Sequence, residues 1–91
     1  MNHRLSTICK IIESLNLECV FVPGGRMEDD MIEFPQSDSK GREVSIQLSN
    51  AWSSASYVEL EFWDAAKGIM ESFSIKGFYE VEEHLRKAYA L

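Results

Sequence analysis

Chemistry-bearing side chains are scarce in this chain. Its 91 residues include two histidines, His3 and His84, and two cysteines, Cys9 and Cys19. None of the four stands in a motif that spaces ligands around a metal or sets a nucleophile beside a base. Cys9 and Cys19 read as small, reduced, buried hydrophobes rather than a disulfide, which would need close approach and an oxidising compartment. His84 falls among charged residues at helical spacing and reads as solvated, while His3 sits where a chain terminus frays. Pro23-Gly24-Gly25-Arg26 has two glycines but neither a Walker lysine-serine pair nor a Gly-x-Gly-x-x-Gly fingerprint, so it is a turn rather than a phosphate cradle. Glu28-Asp29-Asp30 lacks the alternating acids, central glycine and closing glutamate of an EF-hand. It is expected as a solvated acidic tip. No enzymatic activity, cofactor or metal is therefore expected.

Long apolar runs are missing too. No stretch of 18 apolar residues occurs, and only His3 and Arg4 precede an amphipathic segment where a signal peptide would place its hydrophobic region, which makes the cytoplasm the expected location. Basic residues are outnumbered, nine against fifteen acids, for a formal charge of −6. That balance opposes attraction to phosphate backbones and anionic membranes, so neither nucleic acid nor a membrane is an expected partner.

What is present describes a folded domain. An apolar fraction of 45% and a charged fraction of 26% exclude intrinsic disorder, and a chain of this length holds one core, so residues 1–91 are read as one domain. Leu5, Ile8, Ile12 and Leu15 recur at helical spacing, widened by Cys9 and Ile11, and Asn16 suits the left-handed geometry that ends a helix. Cys19-Val20-Phe21-Val22 predicts a short buried strand. Met31-Ile32-Glu33-Phe34, closed by Pro35, predicts its return. Beyond a turn at 37–41, Val44, Ile46 and Leu48 alternate with Glu43, Ser45 and Gln47. Tyr57 to Trp63 alternate as well, with Val58, Leu60 and Phe62 on one side and Tyr57, Glu59, Glu61 and Trp63 on the other. A last strand at 69–75 puts Phe73 and Ile75 opposite Ser72 and Ser74. After Gly77, Phe78, Val81, Leu85 and Ala88 mark a second helix whose other side carries the pairs Glu82/Arg86 and Glu83/Lys87. The expected fold is α+β, in the order α-β-β-β-β-β-α, with an antiparallel sheet covered on one face by two amphipathic helices.

Such a sheet leaves its second face open, and that face is where function is expected. Tyr57 and Trp63 are rigid amphipathic rings of the kind enriched at interface hot spots, with Glu59, Glu61 and Glu43 beside them to attract a basic protein surface. Trp52, in the loop before the strand, extends the patch. A glycosidase pair of Glu59 and Glu61 would need a deep cleft that nothing in the sequence indicates. The expectation is a protein-binding module, monomeric or homodimeric, that inhibits or regulates a larger partner by occupying its basic surface. Inhibitors, immunity proteins and phage anti-defence proteins of the anti-CRISPR-like type share that physical character, an analogy resting on no family motif. The alternative is a dimeric accessory protein, resembling a secretion chaperone in type, that uses the open face for self-association.

Overall fold

A computed structural model describes residues 3–26, 28–49 and 57–91. It has the expected architecture. Helix α1 (His3–Ser14) leads into strands β1 (Val20–Val22), β2 (Asp30–Glu33), β3 (Glu43–Leu48), β4 (Val58–Asp64) and β5 (Ile69–Ser74), and helix α2 (Phe78–Ala88) ends the order. The sheet is a simple antiparallel meander, β1-β2-β3-β4-β5, with every strand beside its sequence neighbours.

The alternation of β3 and β4 locks their register. Val44 pairs with Phe62, Ile46 with Leu60 and Leu48 with Val58, so all six apolar side chains enter one face and are buried. A slip of one residue would expose the whole set. Leu5, Ile8, Ile12 and Leu15 of the first helical stripe and Val81, Leu85 and Ala88 of the second complete the same cluster, with Ile32 and Phe34 from the β2 region. The two helices therefore cover one sheet face between them, and the core lies beneath.

Local devices fix the ends of these elements. Asn16 takes φ 59° and turns the chain out of α1. Gly24 lies so close to the returning chain that a Cβ there would come within 2.0 Å of the Asp29 carbonyl oxygen, and its N–H donates to the Asp30 carboxylate at 3.0 Å. Gly68, at φ 67°, closes the β4–β5 turn by donating to the Asp64 carbonyl. At the start of α2, the Glu80 carboxylate accepts the Gly77 and Lys76 N–H groups, and these bonds hold its pKa below the ordinary range.

The turn expected at 37–41 carries a buried carboxylate. Asp38 is buried, accepting the Lys40 and Arg42 N–H groups and the Arg42 guanidinium at 2.8 Å. Arg42 in turn lies over the Phe62 ring, 4.4 Å from its centroid, and approaches Glu71 at 3.6 Å. Ser39 donates to the Ala88 carbonyl and Tyr89 to that of Gln36, tying this loop to the end of α2. Burial, reinforced by Asp38, pushes the Tyr89 hydroxyl up to about 12.

Three expectations need correction. β1 is not buried: Val20, Phe21 and Val22 are 51%, 42% and 37% exposed, because β1 is an edge strand with a neighbour on one side only. His84 is not freely solvated but half-buried, its ring 4.4 Å from that of Phe73. Cys9 and Cys19 are only half-buried; they are free thiols whose pKa values burial pushes up, with Cys9 adding to the effect at Cys19.

Candidate functional site

The strand pairings assemble the open face row by row. Residues paired across an antiparallel ladder share a face, so Val20, Glu33, Ser45, Glu61 and Ser72 form one row across all five strands. Val22, Met31, Gln47, Glu59 and Ser74 form the next. On the other side of the first, Glu43, Trp63 and Met70 form a third. These thirteen positions hold four carboxylates and no lysine or arginine.

The face is concave where β2, β3 and β4 meet the chain following β2. A groove of about 690 Å³ opens there, its walls including Trp63, Met70, Met31 and Pro35, with Glu33, Glu43 and Glu61 on the same lining. The pleat explains the pattern. Ser45 and Glu61 each lie between two core residues along their strands, and Glu43 and Trp63 each adjoin one, so the register that buries Val44, Ile46, Leu60 and Phe62 also turns Glu43, Ser45, Glu61 and Trp63 into the groove.

Glu61 is the electrostatically unusual member. Burial raises its pKa, the charge of nearby Glu59 raises it further, and a hydrogen bond from Gln47 opposes both. Its Oε1 is enclosed and has no hydrogen-bond partner among the described residues. An unpaired buried acceptor is costly in a native fold. Folding gives no reason for a carboxylate at this position, because Ser45 and Ser72 flank it in the row and a neutral side chain would fit the same pleat.

The expected site residues separate into three groups. Glu43, Glu61 and Trp63 come together in the groove. Glu59 lies on the same face, opposite Gln47 and Ser74, but outside the groove lining. Tyr57 stands just before β4, where its hydroxyl hydrogen-bonds the Asp29 carboxylate and it lines a smaller adjoining pocket with Asp29, Met31 and Gln47. That bond is the leading cause of a raised Tyr57 pKa. The backbone here is anchored from α1: Arg4 donates to the Tyr57 and Ser49 carbonyls and to the Ser49 hydroxyl, which accepts the Tyr57 N–H. Trp52 lies outside the described residues.

Sequence reading did not name Glu33, Met31 or Met70 as part of this surface. The signal for the first two was their alternation about Ile32, and for Met70 its place opposite Trp63. Among the described residues, no group of three or more His, Cys, Asp or Glu side chains is placed to hold a metal ion, and no helix is long and apolar enough to cross a membrane. No protein-family model, curated protein or solved structure matches the chain.

Proposed function

We propose that this chain is a small acidic protein-binding module that inhibits or regulates a larger partner by covering a basic region of its surface, with the open sheet face as the contact. The observation that carries this reading is the composition of the face. Four carboxylates with no base, set around Trp63 and two methionines, give both the large anchoring contacts and the charge complementarity that select a cationic protein surface. A rigid sheet presents these groups at low entropic cost. The proposed setting is the cytoplasm, and the proposed mode of action is steric occupation, without catalysis, of the kind used by immunity proteins and anti-CRISPR-like inhibitors.

Self-association through the same face is the weaker reading. A twofold pairing would bring four carboxylates of each copy together without an intervening base, and like charges across an interface oppose contact.

Capture from a lysate of the source cell tests the proposal. A basic protein should be retained by the wild type and by a variant reversed on α2, Glu82→Lys with Glu83→Lys, and lost by Glu43→Lys with Glu59→Lys. Equal retention by all three chains would contradict the site.

A further inference from the structure

The groove has a ring, acceptors and apolar walls, and no lysine or arginine among its described lining residues. Trp63 lies between Glu43 and Met70 in its row, and Glu61 is two residues along the same strand, roughly 7 Å away on the same face. A planar cation stacked on an indole sits within about 6 Å of the ring centroid. Its edge can then donate to a carboxylate at the Glu61 position.

The chain already uses this arrangement at another place. On the core side of β4, the Arg42 guanidinium lies 4.4 Å from the Phe62 centroid, donates to Asp38 and faces Glu71. The next residue, Trp63, has carboxylates on its own side and no guanidinium among the described residues of its groove. Extending the proposed role of the open face, and resting on it, we infer that the groove is a socket for one arginine side chain of the basic partner, which stacks on Trp63 and donates to Glu61.

Arginine suits the socket better than lysine for physical reasons. Its guanidinium is flat, weakly hydrated and forked, so it stacks and donates to a half-buried carboxylate together, whereas an ammonium is a compact, strongly hydrated point charge. Glu33 and Glu43 on the same lining add long-range attraction. Glu61 Oε1 is enclosed in the free protein, so arginine entry moves a lining side chain. Met31 and Met70, unbranched and adaptable, are suited to that shift.

Nuclear magnetic resonance titration tests the socket with a defined probe, an acetylated and amidated Gly-Gly-Arg-Gly-Gly peptide, beside its lysine and citrulline counterparts. The arginine peptide should shift the Trp63 indole and the Met31 and Met70 methyl signals. The lysine peptide should bind at least about fivefold more weakly, and the uncharged citrulline peptide more weakly again. Glu61→Gln, nearly isosteric, and Trp63→Leu should each weaken arginine binding about tenfold, while Glu83→Gln on α2 leaves it unchanged. The amide spectrum of each variant reports whether it is folded, and Glu61→Gln decides the matter if Trp63→Leu is not.

Equal binding of the arginine and lysine peptides, weakened alike by Glu61→Gln and Glu83→Gln, would overturn the socket while leaving an acidic contact face in place. No shift in the groove at about 10 mM arginine peptide, a concentration that reveals even millimolar affinity, would also overturn it. Loss of the wider reading would show separately, as unchanged capture by the Glu43→Lys with Glu59→Lys chain.

Discussion

On one side of β4, Val58, Leu60 and Phe62 are almost wholly enclosed; on the other, Glu59, Glu61 and Trp63 are all only half-buried. Both sets share one backbone and one register, so the contrast isolates what each face is for. The enclosed face follows from stability alone, since each large apolar side chain removed from water contributes about 1.5–3 kcal/mol. The open face does not. It gathers like charges and leaves one carboxylate oxygen without a partner among the described residues, at a cost to the fold. A surface that opposes the fold's own stability is a candidate for selection by something outside the fold, and this is the reason to place recognition there.

The comparison can be broken first at its strongest point. Leu60→Ala should lower unfolding free energy in urea by about 2–5 kcal/mol, because the side chain is fully enclosed between Ile46 and Phe73 in the core row. Glu59→Ala, one residue away on the other face, should change it by no more than about 0.5 kcal/mol. A comparable loss from both would mean that the open face also holds the fold together.

A smaller and opposite effect is expected at Glu61. Its carboxyl pKa is raised in the folded chain, by burial first and by Glu59 second. A raised carboxyl favours the folded state while protonated, an advantage that is complete below the ordinary glutamate range and is lost as pH rises through the raised value. Glu61→Gln removes the charge and should stabilise the protein at neutral pH, by up to about 1 kcal/mol. The gain should fade as pH falls and vanish below the ordinary carboxylate range. Denaturant midpoints measured across pH check both its sign and its window.

Much of this contrast is legible in the sequence because it is local. The alternation from Tyr57 to Trp63, its counterpart from Glu43 to Leu48 and the helical stripes through Ile8 and Val81 each depend on a few adjacent residues, and the fold order follows from their sequence. What could not be read depends on distant chain segments meeting. Asp38 in a polar turn looks solvent-facing until Arg42 and the end of α2 enclose it. Cys19 to Val22 look like a buried strand because apolar content does not reveal an edge position. Glu33 joins Glu61 only through two registers, β2 with β3 and β3 with β4. His84 reads as solvated in a helical pattern, and only β5 supplies the Phe73 ring against it.

The central claim, that the open sheet face is the cation-recognising surface, is tested most directly by mapping where a cationic chain settles on the whole protein. Amide chemical shifts recorded during titration with hexa-arginine at physiological salt should change most at Glu33, Ser45, Gln47, Glu59, Glu61 and Trp63. Changes spread evenly over the acidic 28–30 loop and the Glu82 and Glu83 side of α2, with the open face no more affected than they are, would contradict it.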